Sequence, residues 1–265
     1  AEEHSHLYVY EGGGYAALSG CSIALVPSEH GIVAPVDVRN RIRKAEGSRS
    51  HYPNASLICL ENTSNRGGGT IYPMEILKEI SEISREYDCR MHLDGARLFN
   101  AVVASGLSAP KMVDGFDSVS VCLSKGLGAP VGSVLVGSRD FIEEAHRWRK
   151  MLGGGMRQAG ILAEAGIYAL DHNLHRLADD HRRAKNLAQG IEQMPGLAVR
   201  IETVETNMVY VKTESSANEW QRKLSERGIL CFAMDNNTLR MVVHLHINDS
   251  QIDEALLILS ELARG

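Results

Sequence analysis

The sequence predicts an α/β protein: a large domain built on a mostly parallel sheet, followed by a smaller C-terminal α/β domain. Two observations support this fold class. Short apolar runs alternate with amphipathic helical stretches over the first two thirds of the chain, and shorter strands alternate with helices after that. We place the boundary near residue 170, so the large domain covers 1–170 and the small domain 171–265. A chain of 265 residues, 44% of them hydrophobic, can bury cores of this size.

The large domain is predicted to alternate between strands and helices. The apolar run 56–61 ends in a turn-rich segment, and Pro73 is typical of a first helical position. The elements are, in order, strand 56–61, helix 73–87, strand 91–94, a helix from about 96, strand 117–123, strand 131–136 and helix 141–153. Crossovers through helices imply parallel pairing, which brings the carboxyl ends of the strands to one ligand-binding edge.

The second part of the chain is predicted to begin with helices and end with a small sheet. From 158 to about 194 the pattern is mostly helical, with possible breaks at Gly160, Gly166 and 171–173. Strands follow at 207–212 and 239–243. A helix over 252–262 has apolar residues spaced to lie on that sheet.

Bulk properties favour a small-molecule partner in the cytoplasm. A net charge of −5 without blocks of like charge gives no footprint for nucleic acid or an anionic membrane. Five widely spaced cysteines indicate reduced, buried thiols in a cytosolic protein. No run is long and apolar enough to span a bilayer, and no signal-peptide pattern opens the chain. Because Ala1 leads directly into polar residues, we expect an upstream segment.

Lys125 and Asp94 are the most informative pair in the sequence. Each follows an apolar strand and begins a polar turn, so an amine and a carboxylate are predicted at the same sheet edge. Pyridoxal phosphate needs this pair: a lysine for the Schiff base and an acid that keeps the ring nitrogen protonated. The alternatives without a catalytic role are that Asp94 only caps a helix and that Lys125 is a solvated surface lysine. The predicted chemistry lies at the α-carbon of an amino acid.

The flanking residues favour the functional interpretation. Leu123 and Leu127 surround the lysine with apolar groups that would lower its pKa, and Ser124 offers a hydroxyl to a phosphate. Arg97, three residues after Asp94, is predicted to meet an anionic oxygen of the cofactor or the substrate carboxylate.

Other ligand classes have weaker support. His6 could stack on a pyridine ring, although most isolated histidines have no such role. Two His-x-His pairs, at 4 and 6 and at 244 and 246, lack an obvious third ligand, so we predict no metal site. The glycine triplets form neither a dinucleotide fingerprint nor a phosphate loop, which argues against a Rossmann dehydrogenase.

Three segments, 92–101, 122–133 and 147–158, together resemble the threonine aldolases. These enzymes belong to the aspartate-aminotransferase-like pyridoxal phosphate enzymes of fold type I. The resemblance covers essentially the whole chain and implies a three-layer α/β/α large domain. It also implies a homodimer or homotetramer whose active sites lie at subunit interfaces.

The resemblance implies a role for each of seven residues. In this family's pattern, Lys125 is the Schiff-base lysine, Asp94 is the partner of the pyridine nitrogen, and His6 is the histidine stacked on the ring. Arg97 contacts the cofactor hydroxyl and the substrate carboxylate, and Arg240 also binds that carboxylate. Arg157 is a phosphate contact from the neighbouring subunit, and Tyr10 is an aromatic residue beside the substrate.

The sequence departs from the family pattern in two places. No Ser-Gly-Thr phosphate cup precedes His6, and Ser64 follows Glu61-Asn62-Thr63 where many members have a histidine that touches the substrate β-hydroxyl. Serine is a much poorer base. Either a water removes the hydroxyl proton, or the reaction has changed.

The expected reaction is therefore cleavage of L-threonine, L-allo-threonine or related β-hydroxy amino acids to glycine and an aldehyde. The alternative that keeps the cofactor is racemisation of alanine, which needs no hydroxyl-directed histidine. A third hypothesis is a non-catalytic scaffold that has lost its phosphate cup.

Overall fold

The computed structural model describes residues 1–264 and has an α/β architecture with two four-stranded sheets and a short hairpin. The strands are β1 (Ser28–Glu29), β2 (Ile32–Val33), β3 (Leu57–Glu61), β4 (Arg90–Asp94), β5 (Ser118–Cys122), β6 (Ser133–Gly137), β7 (Leu197–Ala198), β8 (Met208–Thr213), β9 (Phe232–Asp235) and β10 (Thr238–Val242). The helices are α1 (His6–Val9), α2 (Gly14–Ala17), α3 (Pro35–Arg41), α4 (Met74–Glu86), α5 (Leu98–Ser105), α6 (Ala109–Met112), α7 (Arg139–Met151), α8 (Gly160–His172), α9 (Leu177–Glu192), α10 (Ala217–Glu226) and α11 (Asp249–Arg264).

The first sheet has the order β3-β4-β5-β6 and is mostly parallel, which confirms the predicted fold class. β3, β4 and β5 pair in parallel, while β6 is antiparallel to β5. The segment between β5 and β6 holds no helix, and so short a connection suits an antiparallel neighbour rather than a crossover.

The three parallel strands have one apolar and one polar face. The apolar positions join the core that includes α4 and α5, and they are Ile58, Leu60, Met91, Leu93, Val119 and Val121. The alternate positions are aligned in two polar rows, Cys59-His92-Ser118 and Glu61-Asp94-Ser120. The run 56–61 forms a strand as predicted, although Leu57 is half-exposed and only one face is apolar.

The second sheet has the order β7-β8-β10-β9, and every pairing in it is antiparallel. Residues from β8 and β10 pack with α9, α10 and α11 in a separate core; its fully buried members include Val209, Val211, Leu224, Leu239 and Leu259. A domain boundary near residue 170 stays a prediction, although this second core begins at Ala184.

The helical stretch after residue 158 divides differently from the prediction. Gly160 begins α8 rather than interrupting a helix, and Gly166 lies inside it. The glycine is accommodated because a Cβ there would lie 2.9 Å from Leu123 Cδ1, so the missing side chain permits close packing. Of the three predicted breaks, the one at 171–173 is present: α8 ends at His172, and four residues separate it from α9.

All five cysteines are free; Cys89 and Cys231 are buried, whereas the exposed Cys21 contradicts the expectation that all are buried.

Within residues 1–264, no helix combines the length and apolar character required to cross a membrane.

Candidate active site

The carboxyl edge of the parallel strands gathers the predicted cofactor residues. Glu61 and Asp94 end β3 and β4 and are paired in register with Ser120 of β5, so all three face the same side of the sheet. Lys125 lies in the turn that follows β5. The edge therefore holds the amine and the carboxylate on adjacent strands, as their positions in the sequence predict.

Lys125 is half-buried in a tight turn. Its carbonyl accepts a hydrogen bond from the Gly128 N–H (2.9 Å), and the Leu123 carbonyl accepts one from Ala129 (3.0 Å). Among residues 1–264, its ammonium group has neither a hydrogen-bond nor a salt-bridge partner. The adjacent Ser124 is exposed. The turn thus fixes the backbone and leaves the lysine amine available.

Asp94 keeps one oxygen available for a ligand. Its Oδ1 accepts the Ala96 N–H (3.0 Å) in the turn before α5, whose N-cap is Arg97, so Asp94 does not cap that helix. The Asp94 carbonyl also accepts from Asn62 N–H (3.0 Å), which ties the ends of β3 and β4 together. The turn bond uses only one carboxylate oxygen and is therefore compatible with a role in holding the cofactor.

His6 is held at this edge by Glu61. The buried carboxylate of Glu61 accepts the His6 backbone N–H at 2.6 Å through Oε2 and the Asn65 N–H at 2.7 Å through Oε1. Burial raises the pKa of Glu61, and the two N–H donors oppose that rise. The carboxylate therefore fixes a link between the chain near His6 and the loop after β3.

The imidazole of His6 has two defined neighbours. Its Nδ1 lies 2.7 Å from Glu11 Oε1, and its ring centroid lies 5.0 Å from that of Tyr10. Tyr10 is partly exposed and has the Arg66 guanidinium 5.4 Å from its ring centroid. The structure thus brings His6 and Tyr10 together, while their stacking and substrate roles stay predictions.

Arg97 and Arg240 converge on one amide oxygen. Asn65 Oδ1 accepts from Arg97 (3.4 Å) and from Arg240 (3.2 Å), and the side-chain Nε of Arg240 is buried without a partner. Burial, and after it the Arg240 cation, lowers the pKa of Arg97. Within residues 1–264, neither guanidinium has a carboxylate within 4 Å. An anion is the ligand that such a pair requires.

The second sheet supplies half of this cluster. Arg240 of β10 is paired in register with Tyr210 of β8, so the two side chains share a face. The Tyr210 hydroxyl donates to the Asn65 carbonyl at 2.8 Å, and burial raises its pKa. The cluster therefore spans both sheets, with Asn65 between them.

Ser64 is engaged in the local structure of the loop. It is 3% exposed, and its hydroxyl oxygen accepts the Gly67 N–H at 3.1 Å. Gly31 packs so closely that a Cβ there would lie 1.9 Å from Ser64 Oγ. The hydroxyl has a structural partner, and its predicted contact with a substrate stays a prediction.

Arg157 lies apart from the residues above. It is exposed in the segment between α7 and α8, and within the described chain it has no ion-pair partner. Its predicted phosphate contact involves a neighbouring subunit, so the single chain neither supports nor opposes that role.

The available groups fit pyridoxal phosphate. Lys125 offers a free amine, Asp94 a free carboxylate oxygen and the arginine pair two guanidinium groups without an ion-pair partner in the described chain, one of them with an orphaned buried donor. Pattern reasoning missed Asn65, Glu61 and Tyr210 as parts of the site. Glu61 ends β3 and Asn65 lies in the loop that follows, so their location at the carboxyl edge was a usable signal; Tyr210 lies in an apolar strand and gave none.

A cavity of about 960 Å³ lies elsewhere, between Tyr72 and Met112 on one side and His181 and Val204 on the other. None of the predicted site residues lines it. The chemistry of the strand edge, rather than the volume of this cavity, identifies the candidate site.

Comparisons with known proteins agree with this geometry. The sequence profile of the beta-eliminating lyase family matches residues 1–214. Low-specificity L-threonine aldolase 1 of Arabidopsis thaliana is 42% identical, and the match covers 99% of this chain and 76% of the relative. The low specificity L-threonine aldolase of Escherichia coli K12 is 41% identical over 94% of this chain and 72% of the relative.

Solved structures show the same fold at lower identity. A threonine aldolase of Leishmania major superposes with a TM-score of 0.83 at 19% identity, covering 99% of this chain and 76% of that one. A PLP-dependent aminotransferase of Streptococcus suis gives a TM-score of 0.69 at 17% identity, covering 92% and 65%. The fold is that of fold type I enzymes, and the chain belongs to the beta-eliminating lyase family and to the threonine aldolases.

Proposed function

We propose that this protein is a pyridoxal phosphate-dependent lyase that cleaves L-threonine, L-allo-threonine and related β-hydroxy amino acids to glycine and an aldehyde. One observation carries the proposal: the partly buried Arg97 and Arg240 converge on Asn65 with no carboxylate within 4 Å, beside the strand edge that presents Lys125 and Asp94. The identity to low-specificity L-threonine aldolases supports the choice of substrate.

The residues at the strand edge have separate roles in holding the cofactor. When bound, pyridoxal phosphate supplies an aldehyde that condenses with amines and a ring that accepts electrons from the substrate α-carbon. Lys125 is the amine that would hold it, and Asp94 would keep the ring nitrogen protonated. Ser124 and, from a neighbouring subunit, Arg157 would contact its phosphate, while His6 would lie against the ring.

Arg97 and Arg240 bind and orient the substrate through its carboxylate. Two guanidinium groups that converge on one point fix a carboxylate by charge-assisted hydrogen bonds. Fixing that group restricts rotation about the bond between Cα and the amino nitrogen, which selects the bond at Cα that breaks. The same restriction keeps the β-hydroxyl at one location, with Tyr10 beside it.

The β-hydroxyl proton needs an acceptor other than Ser64. The Ser64 hydroxyl is buried and already accepts from Gly67, and a serine hydroxyl is a weak base. We propose that a water accepts the proton and that His6, which Glu11 holds through Nδ1, takes it from that water. Both His6 and Glu11 are open to solvent, so exchange with water is direct.

We also propose that the active protein is a cytoplasmic homodimer or homotetramer with its sites at subunit interfaces. Apolar side chains along one part of the surface support an assembly. Those exposed by at least two fifths include Val134, Val136, Trp148, Met151, Leu152, Met156 and Ile161. The exposed Arg157 lies in the same part of the chain, where it could reach a second subunit.

The decisive experiment compares the wild type with Lys125→Ala after loading with the cofactor. The wild type should release acetaldehyde from threonine or allo-threonine and show an absorbance band that borohydride traps. Lys125→Ala should lose both, whereas the control Lys111→Ala, at an exposed lysine in α6, should keep both.

The same preparation separates the rival reaction. Deuterium entering alanine at Cα with inversion, without aldehyde from any β-hydroxy amino acid, would replace the proposed function with racemisation. Absence of the trapped band in the wild type would reject cofactor chemistry altogether.

A further inference from the structure

Asn65 is the common partner of the two site arginines. Its Oδ1 accepts from Arg97 at 3.4 Å and from Arg240 at 3.2 Å, and the residue is 7% exposed. Within residues 1–264 no carboxylate lies within 4 Å of either guanidinium. A neutral amide oxygen therefore bridges two partly buried cations.

The backbone of Asn65 is held on both sides. Its N–H donates to Glu61 Oε1 at 2.7 Å, and its carbonyl accepts the Tyr210 hydroxyl at 2.8 Å. Glu61 ends a strand of the large sheet, and Tyr210 lies in the small one. The backbone of Asn65 is thus fixed by residues of both sheets, independently of the contacts between its side chain and the arginines.

The arginine pair needs such a bridge. Burial, and after it the like charge of Arg240, lowers the pKa of Arg97, while Glu61 acts in the opposite direction. A shared acceptor allows the two guanidinium groups to converge despite their repulsion. The amide oxygen accepts from both but adds no charge, so it does not neutralise the pair before a carboxylate arrives.

We propose that Asn65 is a positioning residue whose amide oxygen takes the place of one oxygen of the substrate carboxylate until the substrate binds. This inference rests on the proposed function, because it assigns the arginine pair to an amino acid carboxylate. An aspartate at this position would be a permanent internal ligand for the pair, at an effective concentration that free substrate cannot match. The neutrality of the asparagine is therefore what keeps the pair open to substrate.

The test is the isosteric substitution Asn65→Asp in the cofactor-loaded enzyme. We expect KM for threonine to rise by about tenfold or more, with kcat within about threefold, because the change competes with substrate binding. Calorimetric affinity for glycine, which involves no bond cleavage, should fall by a similar factor. The melting temperature should rise, because two partly buried cations gain a counter-charge.

The opposite signs of these effects separate positioning from a merely structural role. If Asn65 only stabilised the fold, Asn65→Asp would lower the melting temperature and kcat together, and that result would overturn the proposal. Unchanged glycine affinity would overturn it as well. The matched control is Asn54→Asp at an exposed asparagine, whose side-chain oxygen accepts the neutral Ala45 N–H at 2.8 Å; it should leave KM and glycine affinity unchanged.

A second variant guards against an uninformative result. Asn65→Ala removes the bridge without adding a charge, so we expect a lower melting temperature and weaker glycine binding than in the wild type, with affinity partly restored in Asn65→Gln. Failure of the proposed function is distinguishable, because it would appear as a wild type that releases no aldehyde while the glycine affinities still differ among the variants.

Discussion

The histidine in the cavity between the two halves of the chain should make the stability of the protein depend on pH. His181 is partly buried, and its Nε2 lies 3.0 Å from Asn100 Nδ2. Burial lowers its pKa from 6.5 to about 4. The unfolded chain therefore binds a proton between pH 6.5 and 4 that the folded chain does not, so the folded state loses stability as pH falls through this window.

The size of the effect follows from the window. At pH 8 the imidazole is neutral in both states and contributes no difference. At pH 5 the unfolded histidine is protonated while the folded one is still mostly neutral. This difference lowers the unfolding free energy by about 2 kcal/mol, because each pH unit below 6.5 contributes about 1.4 kcal/mol. Because the side chain is partly exposed, we expect about 1–2 kcal/mol in practice.

Urea unfolding of the wild type and of His181→Gln at pH 8 and pH 5 measures this contribution. Glutamine can still accept from Asn100 but does not titrate, so the loss of unfolding free energy on acidification should be about 1–2 kcal/mol smaller in the variant. All other titrating groups cancel in the comparison at equal protein concentration. Equal losses in the two proteins would refute the assignment of a buried neutral imidazole.

Two further predictions concern the loop after β3 and its arginine partner. Gly69→Ala should lower the unfolding free energy by about 2 kcal/mol, because φ is +85° and the new Cβ would lie 2.3 Å from Thr206 Oγ1. The control in thermal unfolding is Gly12→Ala, which is also at positive φ but has no atom within 4 Å of the new Cβ. This substitution should lower the unfolding free energy clearly less. Arg240→Gln should reduce kcat/KM for threonine by about 10- to 100-fold, mainly by raising KM, since one charge-assisted contact with the substrate is lost. An unchanged KM in steady-state assays would show that Arg240 does not bind the substrate.

Local patterns sufficed for the part of the site that lies on consecutive strands. Lys125 and Asp94 each follow a strand, and the parallel pairing that brings these ends together follows from the alternation of strands and helices. The antiparallel β6 was harder to foresee, because its direction depends on the absence of a helix in a glycine-rich connection.

Long-range pairing explains what the patterns could not provide. Tyr210 meets Asn65 across 145 positions of the chain, and Arg240 meets it across 175. Neither contact has a local signature, since each depends on how the antiparallel sheet lies against the loop after β3. Arg240 was identified only through its resemblance to a family pattern, and Asn65 was not identified at all.

The two-faced character of the parallel strands has a consequence for directed evolution. Odd positions of β3 and even positions of β4 and β5 carry the polar rows, and the intervening positions fill the core. In a saturation library over these strands, substitutions at the core positions should therefore mainly change expression of the protein. Substitutions at the polar positions should mainly change its turnover rate. Because a one-residue slip in register would exchange the two sets, the alternation that makes the strands fold also fixes which positions selection can use to change the chemistry.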